Sequence, residues 1–558
     1  MNAQTMKCDV LVIGGGIAAC FAAVKAQEAG ASVIMVDKGY VGRSGQSPYA
    51  DGFLIFNPEW GHNLEASMAE INRHSEYLND QYWTRRCLLD SWDRYQDLLD
   101  WGCTFKENPD GSLAVRQEGK LPAGAQFDKS AGAYGQVLRK KALSVGVEIV
   151  DQVMIVDFLK ENGRIVGAIG LPNDNCDLIT FISKTTISCV GACGYKPTGY
   201  PPLMQLTCDG EAMAYRAGAE ILGKEFVDAH YSKDGMPDPV GQRTAGDPPP
   251  VVGPGPGDPG SGPKDDGGPK RRVNAAGEVI SDRPDSVSGY MFTYLQSEFA
   301  VHAGQGPIYS RGTKSFGGAA LGMSLRKADG LFPADRECRS SLPGLFAAGD
   351  ALGNMQNGAA YSTGGGSIEG GSVTGTIAGQ AAAKEAAAME MPLVSQAELQ
   401  RARDYVLDPL KRKSGFGPRW AMELLRNYMM PYFVYFIKKA DRLRATLTLI
   451  TFLEEHISPM LFATDAHELR LAHEAKNMIL SAEMRLRSGL FRTESRGNHY
   501  REDYPNRDDE NWFCWTKIKN VDGEMVLEKA PLPEEYRPDP SLSYREKYPF
   551  PFPGEKEA

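Results

Sequence analysis

One short stretch near the start limits the fold more than anything else in the chain. Asp9-Val-Leu-Val-Ile13 is an apolar run of β-formers that passes without a break into Gly14-Gly15-Gly16. A helical stretch from Cys20 to Ala29 follows, then Gly30 and a second apolar run, Ser32 to Val36, which ends in Asp37, 21 residues after Gly16. Strand, glycine turn, helix, strand and acid in that order predict the opening βαβ unit of an α/β domain that binds a dinucleotide. Gly14 permits the tight turn, and Gly16 lets the backbone approach a pyrophosphate at the helix N-terminus. Asp37 is placed to accept hydrogen bonds from adenosine ribose hydroxyls. Ala19 stands where a third glycine often does, and a methyl group is tolerated there. The motif alone does not separate FAD from NAD.

Composition narrows the class further. At 558 residues the chain is long enough for several structural units. The 71 acidic residues outnumber the 61 basic ones, for a formal charge of -10, which argues against a nucleic-acid partner. Ten cysteines are scattered without a C-x₂-C run. Cys189 and Cys193 come nearest to a pair, yet they bracket Val190-Gly191-Ala192 at an expected strand end, so no metal site is expected. Reduced thiols in an intracellular, cytoplasmic setting are the simplest expectation. No basic-then-apolar leader precedes the strand at Cys8-Asp9-Val10. The longest apolar stretch, Tyr428 to Ile437, contains Pro431 and is far short of the roughly 20 residues of a spanning helix, so the chain is not expected to span a membrane.

The cofactor is indicated later in the chain. Leu342-Pro-Gly-Leu-Phe-Ala-Ala-Gly349-Asp350 reads as a turn, an apolar strand and an acid at its carboxyl end, and Thr186 to Gly191 is another apolar strand ending in glycine. This arrangement resembles the large FAD-binding oxidoreductases, in which the late Gly-Asp meets the ribityl and pyrophosphate part of the flavin.

Further motifs sharpen the resemblance. They are Arg43-Ser44-Gly45, Leu206-Thr-Cys-Asp209-Gly210 through Gly218-Ala219-Glu220, and Glu225-Phe-Val-Asp-Ala-His230. Gly349-Asp350, Gly364-Gly365-Gly366-Ser367-Ile368 and Glu494-Ser495-Arg496-Gly497-Asn498-His499-Tyr500 through Pro505 follow. In that order, from about residue 8 to about residue 515, the chain resembles the fumarate reductase/succinate dehydrogenase flavoprotein family. Its C-terminal part, with Ala463 to Leu469, Leu490-Phe491-Arg492 and Glu510 to Trp515, most resembles the adenylylsulfate reductase α subunit.

The resemblance implies a fold and a set of sites. The fold is a Rossmann-like, glutathione-reductase-type FAD-binding domain, residues 1–205 and 317–393, interrupted by an α+β capping domain, 206–316. A C-terminal helical domain, 394–500, and an extended tail, 501–558, complete it. The Gly/Pro-rich stretch 246–270 reads as a surface insertion in the cap. Ala378 to Met391 is a helix broken by Pro392. Helical spacing of Leu443, Leu447, Leu449, Ile450, Leu453 and Ile457 predicts an amphipathic bundle after it. Residues expected to contact FAD are Gly14, Gly16, Ala18, Asp37, Lys38, Ser44, Gly45, Gly52, Gly191, Asp209, Gly349, Asp350, Ser367 and Ile368. Gly45 replaces the histidine that carries covalent flavin in succinate dehydrogenases, so the FAD is expected to be noncovalent.

At the substrate positions the chain departs from the family. Where a catalytic cap arginine is expected it has Tyr290-Met-Phe-Thr-Tyr294-Leu295. Asn357-Gly-Ala-Ala-Tyr361 replaces the His-Gly-Ala-Asn-Arg that grips carboxylates. Tyrosine offers one neutral donor where a guanidinium offers a paired, charged grip. His230 aligns with a pocket histidine and is the candidate proton donor or acceptor. Tyr361 is a candidate hydrogen-bond donor, and Arg311, with Lys314, a candidate replacement for the cap arginine. Arg496, His499 and Arg501 are expected as structural partners of Glu502, Asp503 and Asp508. The function implied is an FAD-dependent oxidoreductase acting on a small organic substrate at an activated C=C or C–C bond, less anionic than fumarate. Electrons would be exchanged with a separate iron–sulfur, ferredoxin-like protein. The alternatives are a flavin electron-transfer subunit without its own substrate and a divergent adenylylsulfate reductase α subunit.

Overall fold

A computed structural model describes residues 4–50, 52–117, 119–128, 130, 132–194, 206–226, 228–230, 272–273, 279–281, 308–310, 313–315, 322–324, 330–360, 365–429, 431, 434, 437–549 and 551–556. Its centre is a sheet built on the first apolar run. Strand β1 (Gln4–Ile13) pairs in parallel with β2 (Val33–Val36) on one side and with β9 (Ile179–Ser188) on the other. Val10 to Ile13 and all of β2 are buried, as expected of parallel strands covered on both faces. The order is β6-β2-β1-β9-β8-β7, with β17 also paired to β9. Here β6 is Glu148–Val150, β7 Val153–Glu161, β8 Arg164–Pro172 and β17 Leu345–Ala347. β6 and β17 are parallel additions, whereas β7 and β8 form an antiparallel edge.

Helix α1 (Ile17–Glu28) lies under the sheet and is buried at Ile17 to Val24 and at Ala26, so it has no polar face along its first two turns. Against it packs α6 (Gly366–Ala387). A Cβ at Gly375 would lie 2.4 Å from the Ala18 carbonyl oxygen, and one at Gly379 would lie 2.3 Å from that of Ala22. Only glycine lets the two backbones cross so closely. Helices α2 (Leu64–His74), α3 (Gln81–Asp100) and α4 (Tyr134–Ser144) surround this core, with a small sheet of β3 (Gly52–Ile55), β4 (Val115–Arg116) and β5 (Ala123–Gln126).

Helix α5 (Asp209–Ala217) and β10 (Ile221–Leu222) leave the central sheet. β11 (Asp228–His230) pairs with β16 (Gly322–Ser324). β12 (Arg272–Val273), β13 (Val279–Ser281), β14 (Ile308–Ser310) and β15 (Thr313–Ser315) form a four-stranded sheet. The stretches 246–270 and Tyr290 to Leu295 lie outside the described residues.

The bundle predicted after Pro392 consists of α7 (Gln396–Leu407), α8 (Pro418–Met429), α9 (Ala440–Phe452) and α10 (Ala466–Phe491). Leu443, Ile450, Leu453 and Ile457 enter its core with Met478, Ile479 and Leu486. Leu449 is instead exposed, because at roughly 100° per residue it lies about 120° from the face that Leu443 and Ile450 share, and a wider π-helical turn, Leu453–Ile457, carries the last two apolar residues inward. Among the described residues no helix is long and apolar enough to cross a membrane.

Two expectations are corrected. The segment 501–558 is not an extended arm. β18 (Cys514–Val521) and β19 (Glu524–Pro531) form a hairpin that pairs with β10, and the chain beyond it packs on its own protein. Tyr548 and Phe552 are buried because Arg507 lies over both rings, at 4.7 and 4.5 Å, and Tyr500 stacks on Phe552. Nor are all ten cysteines reduced. Cys193 is joined to Cys208, not paired with Cys189, and the other eight are free thiols. The left-handed turn at Gly191 (φ 73°) and the left-handed backbone of Cys208 (φ 65°) bring the two together.

Candidate functional site

The glycine turn is pressed onto the end of β9. Gly14 has φ 115°, and a Cβ there would sit 2.3 Å from the Cys189 carbonyl oxygen. Gly16 caps the N-terminus of α1 without any side chain, and a Cβ at that residue would approach Ser47 Oγ at 3.0 Å. Ser47 Oγ accepts the Ile17 N–H at 3.1 Å. A cradle of bare backbone at the positive end of a helix is suited to a pyrophosphate.

Asp37 follows β2 and is buried. Its Oδ1 accepts the Gly39 N–H at 2.7 Å, and Ser44 stands beside it, itself accepting the Tyr40 N–H. Burial pushes the Asp37 carboxyl above its usual range, opposed by those hydrogen bonds and reinforced by the charge of Asp151. Gly45 turns the chain with φ 73°.

Lys38 turns away from Asp37 into a clasp. Its Nζ donates to Asp209 Oδ2 and Thr207 Oγ1, each at 2.7 Å, and pairs with Glu474 Oε1 at 2.9 Å. Asn477 Nδ2 donates to the other Asp209 oxygen at 2.9 Å. Burial works against both charges, yet the two carboxylates hold the Lys38 ammonium above its ordinary value, and Lys38 holds Asp209 below its own. The start of α5 is thereby fixed beside the first βαβ unit.

The late motif reaches the same place. After β17, Gly349-Asp350-Ala351 forms a single turn in which Gly349 (φ 65°) comes so close to α1 that a Cβ would lie 2.7 Å from Ala18 Cβ. Its N–H donates to Thr374 Oγ1 of α6 at 2.9 Å. Gly365 (φ 89°) caps α6, and a Cβ there would meet the Gly52–Leu54 backbone at 2.9 Å. Ser367 and Ile368 fill the first turn of α6. Contacts therefore run without interruption from Gly14 and Gly16 through Ala18 and Gly349 to α6 and Gly52. Gly191 joins them at the end of β9, beside Val190, on which Gly210 is pressed. Ser367 Oγ and Asn357 Nδ2 are buried and have no hydrogen-bond partner among the described residues, as expected of groups that a cofactor or substrate completes.

Of the candidate catalytic residues, His230 ends β11 opposite Gly322, with its side chain outside the described residues. Arg311 and Tyr361 lie outside them altogether, and Lys314 is described only as backbone of β15. Arg496, His499 and Arg501 are buried and structural, but only in part with the expected partners. Arg501 pairs with Asp503, while Arg496 pairs with Glu494 and Asp509 and not with Asp508. Glu502 pairs with Arg442 instead. The His499 ring lies between the backbone oxygens of Glu225 and Arg492, and burial, then Lys438 and two arginines, push its pKa well below the usual value.

Four residues have no signal in the sequence motifs: Ser47, Glu474, Asn477 and Glu369. Glu474 and Asn477 sit inside a 26-residue helix, more than 260 positions from the acid they surround. Glu369, in the first turn of α6, is buried, and its Oε1 has no partner among the described residues. Burial, with the charge of Asp90, holds its carboxyl well above the usual range.

Comparison with known proteins places this geometry. Residues 9–231 match the FAD binding domain model, and residues 423–541 match that of the fumarate reductase flavoprotein C-terminus. One chain of the fumarate reductase (CoM/CoB) of Methanothermobacter marburgensis is 26% identical, over 90% of this chain and 96% of its own length. Among solved structures, a variant of the quinol fumarate reductase FrdA of E. coli superposes with a TM-score of 0.78 at 18% identity, covering 95% of this chain and 97% of that one. Adenylylsulfate reductase of Archaeoglobus fulgidus gives 0.75 at 19% identity, covering 96% and 98%.

Proposed function

Since the chain belongs to the fumarate reductase and succinate dehydrogenase flavoproteins and is an FAD-dependent oxidoreductase, we propose that it reduces or dehydrogenates a small organic substrate less anionic than fumarate, at an activated C=C or C–C bond. When bound, FAD supplies two-electron exchange as a hydride at one ring nitrogen. The chain supplies the grip. Gly14, Gly16 and the N-terminus of α1 receive the pyrophosphate, and Asp37 receives the ribose. Ser44, Gly45 and Gly52 line the near wall. Gly191, Asp209, Gly349, Asp350, Ser367 and Ile368 close the crevice, with Ala18 and Lys38 behind them.

One observation carries the substrate reading. Asn357 stands where the family resemblance expects the carboxylate-gripping histidine, and it is buried with an Nδ2 that has no partner among the described residues. A neutral amide donor suits a carbonyl or other uncharged oxygen. A dicarboxylate would enter without the charge-assisted bonds that make such binding tight. His230 is the proton donor or acceptor in this reading, Tyr361 orients the substrate oxygen, and Arg311 replaces the lost cap arginine. The eight free thiols are dispersed, so electrons are proposed to come from a separate iron–sulfur protein.

The test is anaerobic. The bound flavin is reduced chemically, fumarate is added, and the return of flavin absorbance is followed. Continued reduction with fumarate, and reoxidation by an α,β-unsaturated carbonyl compound, is the expected result. Rapid reoxidation by fumarate overturns the substrate reading. A flavin spectral change with AMP plus sulfite would favour the adenylylsulfate reductase alternative. Indifference to every small ligand, with rapid electron exchange with a ferredoxin-like protein, would favour an electron-transfer role.

A further inference from the structure

We propose that Cys193 and Cys208 form a redox site on the adenylyl side of the FAD crevice, opened by a dithiol reductant, whose state sets how tightly the crevice holds the nucleotide. The inference rests on the placement of FAD against Asp37 and the glycine turn. Cys193 lies just past Gly191, on the continuation of the strand whose Cys189 carbonyl supports Gly14. Cys208 immediately precedes Asp209, the residue clasped by Lys38, and starts α5 in a left-handed conformation that side chains rarely adopt. Their Cα atoms are 4.5 Å apart, within the span a disulfide bridges. One covalent bond therefore joins the support of the glycine turn to the start of α5.

The bond sits in a buried polar cluster. Ser481 Oγ lies 3.4 Å from Cys193 Sγ and also bonds Glu211. Glu211 pairs with Lys224, and Arg485 adds a second positive charge beside it. A thiolate released here lies within 4.8 Å of the Glu211 carboxylate, whose charge Lys224 and Arg485 offset. The ligand atoms of Cys193, Cys208 and Glu211 lie within 4.8 Å of one another, but Lys224 and Ser481 already occupy the carboxylate, and the two cations repel a metal ion. In the exchange a reductant thiolate attacks one sulfur to give a mixed disulfide. The reductant's second thiol then displaces it. The two cysteines gain two electrons and two protons, and the reductant leaves as its own disulfide. Cys193 and Cys208 are buried, so the crevice lining must open to admit a reductant, and by reciprocity bound FAD protects the bond.

The experiment uses the full-length protein with FAD bound. Thiols are counted after denaturation, and FAD release is timed by its fluorescence before and after dithiothreitol. The expected count rises from eight to ten. Release is expected to quicken about tenfold, the effect of losing one tie of modest strength. Reduction should also be slower with FAD bound than without it. The Cys193→Ser/Cys208→Ser variant should release FAD like the reduced protein and ignore dithiothreitol. Ten thiols before any reductant, or equal release rates in both redox states of the native protein, would overturn the proposal. A chain that takes up no flavin at all overturns the functional reading, and the coupling with it. The absence of flavin absorbance distinguishes that outcome from failure of the coupling alone.

Discussion

Lys38 Nζ and Asp209 Oδ2, 171 residues apart in sequence, meet at 2.7 Å and join the first βαβ unit to the start of α5. The pair also carries Glu474, whose side chain is almost wholly buried. The arrangement makes the dinucleotide crevice dependent on α10, a helix that contributes nothing to the central sheet.

Lys38→Met should leave Asp209 buried without its cation, while Glu474 keeps Arg470 at 2.6 Å, and cost about 3 kcal/mol. Urea unfolding monitored by circular dichroism checks this, and flavin content should fall with stability. An unchanged midpoint would show that the clasp is worth no more than a surface pair.

Gly14→Ala should abolish FAD retention while Gly30→Ala leaves it intact. Both residues have positive φ, but a Cβ at Gly14 meets the Cys189 carbonyl at 2.3 Å, whereas one at Gly30 meets nothing within 4 Å. Gly30→Ala should cost about 1 kcal/mol of stability from backbone strain alone. Flavin absorbance per protein after gel filtration reads the difference.

Arg496→Ala should destabilise by about 3–5 kcal/mol, since it leaves Glu494 buried and reduces the pairing of Asp509 and Tyr548. Arg86→Ala, which breaks an exposed pair with Asp90, should change stability by less than about 0.5 kcal/mol. Thermal melts of the two variants side by side test the contrast.

Acid should weaken the bundle before it weakens most surfaces. Burial pushes the pKa of His473 down to about 3, and its Nε2–H donates to the Val406 carbonyl at 2.8 Å. An unfolded histidine titrates near pH 6.5, so between about 6.5 and 3 the unfolded chain binds the extra proton. This contribution to stability is complete above pH 6.5 and is lost as pH falls through that window, by about 1.4 kcal/mol per pH unit. His473→Gln should reduce the slope of unfolding free energy against pH by about one proton. An unaltered slope would show that His473 does not titrate on unfolding.

What could be read from the sequence was local. The turn at Gly14 to Gly16, Asp37 and Gly349-Asp350 each announce themselves because a particular backbone conformation at a strand end requires particular residues in a row. The apolar spacing of Leu443, Ile450, Leu453 and Ile457 likewise reflects one helix face, and Leu449, apolar but about 120° off that face, turns to solvent. Glu474 and Asn477 were invisible because polar residues at helical spacing ordinarily face water, and nothing in the chain marks Lys38 and Asp209 as the partners that draw them inward. The bond between Cys193 and Cys208 was hidden for a related reason. It depends on a turn at Gly191 and a left-handed residue at 208, neither of which cysteine spacing reveals. The aromatic-rich end of the chain looked free because its arginine partners lie elsewhere.

Those long-range contacts impose an order of events during synthesis. Arg507 grips Glu76 across 431 residues, Trp515 Nε1–H donates to Leu78 O across 437, and Tyr536 OH reaches Asp80 across 456. At a ribosomal pace of roughly 5–20 residues per second, the turn at residues 75–80 waits about 20–90 seconds for those partners to emerge. Over that interval the nascent chain carries Glu76 without Arg507, so chaperone occupancy should concentrate on the turn at residues 75–80 until the final hairpin arrives.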